Sequence, residues 1–230
     1  MRGSFENRMT RTQTYLGWCW LPIHIVILPV LLKMYAASGG GLSGAELNEI
    51  YYGVSFVFVL IVMFRFLRSC FDMLLDRPGR CILAAVIALA AYYALSMIAA
   101  TLLLALQSAV ANPNNAATEV LAKQNPGVIR ALGLFIAPIV EETLFRGAVF
   151  GALRSRSRVL AYLVSTLLFG VYHVWQYALI YADAALLLYA LQYVPISLAL
   201  GFCYERTESV WPPIFVHMIV NAASFAALSL

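Results

Sequence analysis

Two adjacent glutamates, Glu141 and Glu142, and an arginine four residues further on, Arg146, stand in the apolar stretch IAPIVEETLFRG from Ile136 to Gly147. Two of the chain's three histidines follow, His173 in FGVYHVW and His217 in FVHMIVN, and the latter stretch also carries Asn221. These residue types suit hydrolysis. A carboxylate beside an imidazole activates water as a general base and then passes the proton to a leaving amine. An imidazole and a carboxamide side by side can donate hydrogen bonds to a developing oxyanion. No serine or cysteine is placed beside a histidine as a nucleophile, so direct attack by water is the expected course. Glu141, His173 and His217 are also residue types that bind catalytic zinc, whereas Asn221 would be an unusual zinc ligand.

Helical spacing gives these residues directions. Glu142 and Arg146 are four apart, so they share a face and can pair. Glu141 lies about 100° around the helix from Glu142 and faces a different partner. Phe169 with His173, and His217 with Asn221, repeat the four-residue spacing. Counted from the cytoplasmic ends of their helices at about 1.5 Å per residue, Glu141 lies ~18 Å deep, His173 ~21 Å, His217 ~10 Å and Asn221 ~16 Å. These levels are compatible with one site.

The elements that must hold them are membrane helices. The chain has 230 residues, of which 63% are hydrophobic and 11% charged, and its mean hydropathy is +0.83. A soluble domain carries about twice that charge. Seven spans are expected: Leu16–Tyr35, Ile50–Leu67, Cys81–Gln107, Val128–Leu153, Val159–Tyr181, Ala184–Tyr204 and Val210–Leu230. Each is near the ~20 residues that cross the hydrocarbon core. The fold class is therefore all-α, a polytopic transmembrane helical bundle of about seven spans with its active site within the last four. Residues 1–127 hold the N-terminal spans and an amphipathic connector, and residues 128–230 the catalytic four-helix core of the same membrane domain. The Gly-rich SGGGLSG breaks the chain after the first span, and NPNNA and NPG read as turns. The charged amphipathic stretch from Arg65 to Arg80 suits an interfacial helix. The polar start leads into a run long enough to span, so no cleavable leader is expected.

Basic residues orient the bundle. With the N-terminus cytoplasmic, eleven basic residues fall on inner segments: Arg2, Arg8, Arg11, Arg65, Arg68, Arg77, Arg80, Arg154, Arg156, Arg158 and Arg206. Only Lys33, Lys123 and Arg130 fall outside, which puts the C-terminus on the external side. The net charge of +4 is spread along these boundaries, so it marks topology and not a nucleic-acid footprint. The four cysteines lack CxxC spacing and suggest neither disulfides nor a metal site.

The motifs also carry a resemblance. EETLFRG resembles the EExxxR motif of the type II CAAX prenyl protease family, also called the CAAX protease and bacteriocin-processing family; FGVYH resembles its FxxxH motif and HMIVN its HxxxN/D motif. Order and spacing agree over roughly Ile136 to Ser224, while the first half of the chain does not match in detail. The resemblance implies an intramembrane endopeptidase of glutamate type acting in the lipid bilayer on a membrane-anchored or lipid-modified protein. It implies Glu141 as the activating carboxylate with His173 beside it, His217 and Asn221 as the oxyanion hole, and Glu142 and Arg146 in support. No cofactor is required on this reading. A divalent metal such as zinc, held by Glu141, His173 and His217, is the alternative.

Blander readings exist for each residue. Glu142–Arg146 as a lone pair would be a helix lock, and a lone intramembrane histidine an interhelical donor. Their conjunction on three helices favours a site. His24, in LPIHIVILP, reads as structural, Asp183 and Glu205 as solvated loop ends, and Pro138 as freeing a backbone carbonyl. The competing functions are a non-catalytic scaffold or immunity protein of the same family, and a proton-coupled transporter. Seven spans without an inverted repeat or two broken helices argue against the transporter.

Overall fold

The structure, a computed structural model, describes residues 5–106 and 112–227. Arg2, Gln107 and Leu230, which entered the charge bias and the ends of two expected spans, lie outside the described residues. Among those described, the chain is helical and contains no strand.

α1 (Arg11–Ala37) begins at Thr10, whose hydroxyl accepts from the Gln13 amide while the Gln13 side chain accepts from the Thr10 amide. This reciprocal capping satisfies two otherwise orphaned donors. α1 ends in the Gly-rich connector, where Gly39 adopts φ +87°, a left-handed conformation that glycine reaches without strain. α2 (Gly44–Val62) starts with a second capping box, between Ser43 and Glu46. α3 (Phe64–Asp76) is the expected amphipathic connector. Phe66, Leu67, Cys70 and Met73 are buried along one side, while Arg65, Arg68, Asp72 and Asp76 are exposed. The Trp211 indole donates to the Leu67 carbonyl at 2.9 Å, which fixes α3 to the start of the last helix. Burial pushes the Cys70 thiol up to about 12, and the fully buried side chain packs as a small hydrophobe.

α4 (Pro78–Leu106) is the longest uninterrupted α-helix described. α5 (Pro113–Gln124) corrects the reading of NPNNA as a turn. Asn112 is a cap, its side chain accepting from the Asn114 amide at 2.9 Å, and Pro113 is the first helical residue. The chain breaks at Asn125, within NPG, before α6. α6 (residues 126–154) is not uniform: π-helical turns Leu132–Ile136 and Thr143–Phe150 flank an α-helical piece, Ala137–Glu142. α7 (Arg158–Ile180) follows, capped by Ser157. α8 (Ala184–Thr207) opens as a 3-10 stretch, Ala184–Tyr193, and continues as an α-helix. α9 (Trp211–Ala227) ends the described chain.

The span count changes in a physically informative way. α1, α2, α4, α7 and α8 are long and apolar enough to cross a membrane, and α9 is a shorter apolar helix of 17 residues. α6 differs in kind, because residues 140–151 are buried all round, charges included. That stretch is enclosed by its neighbours. Its neighbours come close through small residues. A Cβ placed on Gly17 of α1 would stand 2.6 Å from Ala148 Cβ, which only glycine avoids.

Glu205 is not a solvated loop end. Its carboxylate is paired with Arg154 at 2.6 Å and Arg158 at 3.0 Å, and it accepts from the Tyr162 hydroxyl at 2.9 Å. This tie joins the ends of α6, α7 and α8. Asp183 instead caps α8, accepting from the Ala185 amide at 2.9 Å.

Candidate active site

Pro138 starts the local explanation of α6. The Ala137 amide donates to Leu132 O, five residues back. Continuing that π register, Pro138 would donate to Gly133 O but has no N–H to do so. The freed Gly133 carbonyl accepts from Asn221 Nδ2 at 2.8 Å. The proline therefore creates the acceptor that joins α9 to α6. It also precedes the short piece on which Glu141 and Glu142 stand.

The two glutamates face different ways, as their angular separation requires. Glu142 is fully buried and pairs with Arg146 Nε at 3.1 Å through Oε2. Its Oε1 lies 2.9 Å from His217 Nδ1. Arg146, also fully buried, donates from Nη2 to Ser197 O at 3.3 Å and Ser197 Oγ at 3.2 Å. Its guanidinium sits 4.4 Å from the Phe169 ring centre, a cation–π contact. One arginine thus binds α6 to α7 and α8.

Glu141 is also buried, turned about 100° around the helix from Glu142. Its Oε1 accepts from Tyr52 at 3.2 Å and Tyr172 at 3.4 Å. Its Oε2 accepts no hydrogen bond from the described residues. That oxygen lies 3.9 Å from His173 Nε2 and 4.0 Å from His217 Nε2. The tautomers follow from the partners on the far side of each ring. His173 Nδ1 stands 2.7 Å from the Phe169 carbonyl, which can only accept, so Nδ1 carries the proton. His217 Nδ1 faces the Glu142 carboxylate and donates to it in the same way. In neutral rings both Nε2 atoms therefore present lone pairs toward Glu141 Oε2. His173 is held further by stacking on Tyr193, 4.1 Å between ring centres.

Glu141, His173, His217 and Asn221 all line one cavity of about 890 Å³. A water bonded to Glu141 Oε2 and to either imidazole would fit the 3.9–4.0 Å gaps, since two ~2.8 Å hydrogen bonds span them with a bend. Zinc fits less well. Donors bound tetrahedrally at ~2.0–2.1 Å stand ~3.4 Å apart, closer than these atoms. Among the described residues no group of three His, Cys, Asp or Glu is compact enough to hold a metal.

Several participants escape the motifs. Tyr52 lies on α2, in the half of the chain that carries no motif, and Ser197 sits on α8. His24 is fully buried, with Ser55 Oγ at 2.8 Å from Nδ1 and Tyr51 OH at 3.1 Å from Nε2. Its partners lie 27 and 31 residues away on α2, beyond the reach of local sequence.

Comparison with known proteins agrees with the motif region. Residues 123–223 match the family model for the type II CAAX prenyl endopeptidase, Rce1-like. A Bacillus subtilis (strain 168) protein named "Putative membrane peptidase YdiL" is 36% identical over 101 residues. The match takes in 41% of this chain and 37% of that protein's length. No solved structure matches the chain.

Proposed function

We propose that this chain, whose residues 123–223 match the Rce1-like type II CAAX prenyl endopeptidase family model, is an intramembrane endopeptidase that cleaves a membrane-associated protein with water activated by Glu141. The observation that carries the reading is the free Oε2 of a buried Glu141, faced by two imidazole Nε2 atoms on the wall of a large cavity. Water held there attacks the scissile carbonyl and gives its proton to Glu141, aided by His173. The carboxyl then returns that proton to the departing amine as the tetrahedral adduct collapses. His217, when protonated, donates Nε2–H to the oxyanion while Glu142 balances its charge on the other side. Asn221 has one N–H engaged by Gly133 O and a second N–H to offer. The substrate classes that suit such a site are a C-terminal tail of a lipid-modified or membrane-anchored protein, and a leader or sorting segment.

The test is a comparison of membranes with and without the chain, reading newly formed C-termini by mass spectrometry. A set of new termini that also vanishes with Glu141→Gln is the expected result. Identical termini in all three membranes would end the protease reading.

Water activation without metal gives a second expectation. The purified chain should keep its cleavage rate after exhaustive chelation, because the Glu141, His173 and His217 donors stand wider than a zinc site requires. Activity lost on chelation and restored by stoichiometric zinc would make those three residues ligands instead.

Orientation follows from the bias of basic residues. The proposed topology has the N-terminus cytoplasmic and the C-terminus external. Reporter fusions at Arg156 and at Ala227 should report opposite sides of the membrane; the same side for both would overturn it.

A further inference from the structure

We propose that Tyr52 and a buried chain Ser55–His24–Tyr51–Tyr172 form a positioning network that locks Glu141 Oε1, leaving Oε2 as the atom free to meet the attacking water. The inference rests on the proposed role of Glu141 and extends the active site into α1 and α2.

One direction carries donors through the chain to Glu141. Ser55 Oγ donates to His24 Nδ1 at 2.8 Å. His24 Nε2–H then donates to Tyr51 OH at 3.1 Å, and Tyr51 donates to Tyr172 OH at 3.0 Å. Tyr172 donates to Glu141 Oε1 at 3.4 Å. Ser55 starts the chain, and His24, Tyr51 and Tyr172 can each accept from behind and give a proton forward toward the carboxylate; the His24 carbonyl, 3.1 Å from Tyr51 OH, is the competing acceptor for the Tyr51 proton. Tyr52 adds an independent donor to the same oxygen at 3.2 Å. Reversing the direction would aim a hydroxyl lone pair at Oε1, two acceptors face to face. Linked hydrogen bonds of one direction reinforce each other in a low-dielectric interior.

Packing supports a positioning role. His24 stacks on Tyr51 with ring centres 4.7 Å apart and planes 16° from parallel. His24 and Ser55 are fully buried, where an unpartnered polar group is costly, so they persist because the chain satisfies them. A π-helical turn, Ile23–Ile27, carries His24, just as π turns flank the Glu141 piece. Among the described residues these three are the π turns, and each adjoins the network. Such turns cost stability and tend to mark functional positions.

Two readouts test the proposal. The first needs no turnover. In the purified chain, the infrared band of the Glu141 carboxyl is identified as the band missing from Glu141→Gln. Tyr52→Phe and Tyr51→Phe each remove one hydroxyl and keep the ring, and both should shift that band. An unmoved band in both variants would overturn the network, whatever the chain's activity.

The second uses the peptide bond mapped by C-terminal mass spectrometry. Tyr52→Phe should lower kcat about tenfold with KM unchanged, as for loss of a hydrogen bond to a reacting carboxylate, and Tyr51→Phe, which acts through Tyr172, should lower kcat about threefold or more with KM unchanged. His24→Leu should match Tyr51→Phe. His24→Gln, which keeps a donor toward Tyr51, should restore most of the loss. A wild-type kcat in Tyr51→Phe, or a loss confined to KM, would overturn the proposal while leaving the protease reading intact. No cleavage by the wild-type chain would sink the protease reading instead, and the infrared result would still decide the network.

Discussion

Glu141→Gln should lower the cleavage rate by at least ~10³, toward the upper part of the range that positioned general bases supply, while leaving the protein level close to normal. The amide keeps the volume of the carboxyl, so the surrounding packing is undisturbed. Tyr52 and Tyr172 can still donate to an amide oxygen in the place of Oε1. What the variant lacks is the second oxygen. An amide nitrogen at the Oε2 position cannot take a proton from water, and it would face His173 and His217 as a donor. The geometry thus predicts a catalytic defect without a folding defect. Single-turnover rates on the mapped substrate, measured beside thermal melting of the same preparation, separate the two. A cleavage rate within tenfold of wild type would remove Glu141 as the base. Low protein level or early melting would instead mean that the carboxylate charge holds the bundle.

The polar half of this site was legible because it is local. Glu142 with Arg146 and Phe169 with His173 are four-residue pairs on single helices, and the structure places both pairs in contact. The long apolar runs likewise announce membrane helices. The rest depends on contacts between segments far apart in sequence. Tyr52 reaches Glu141 across 89 residues, and a tyrosine near the start of an apolar span looks like an ordinary interface residue. Glu205 appeared solvated because its arginines lie 47 and 51 residues earlier. The freed carbonyl near Pro138 was foreseeable, and so was the donor capacity of Asn221, but their union needs the π register of α6. Hydropathy averages over such turns. It also counts α6 as one more span like the rest, although burial of Glu141, Glu142 and Arg146 requires neighbours on every side.

Glu142→Ala should act through folding, with a loss of about 3–5 kcal/mol, the usual cost of stranding one member of a buried ion pair. Arg146 would keep its bonds to Ser197 and its contact with Phe169, but no counter-charge would remain at 3.1 Å. A double replacement separates stability from chemistry. Glu142→Leu with Arg146→Met fills similar space with apolar atoms and leaves no buried charge, so much of the lost stability should return. Cleavage should not return, because His217 Nδ1 would lose the carboxylate that fixes its tautomer and balances its protonated form. The expected pattern is a single variant that is scarce and melts early, and a double variant that is abundant but inactive. A Glu142→Ala protein as stable as wild type would show that the pair contributes nothing to folding. An active double variant would show that His217 needs no carboxylate behind it, and the oxyanion role proposed for its Nε2–H would then lose its support.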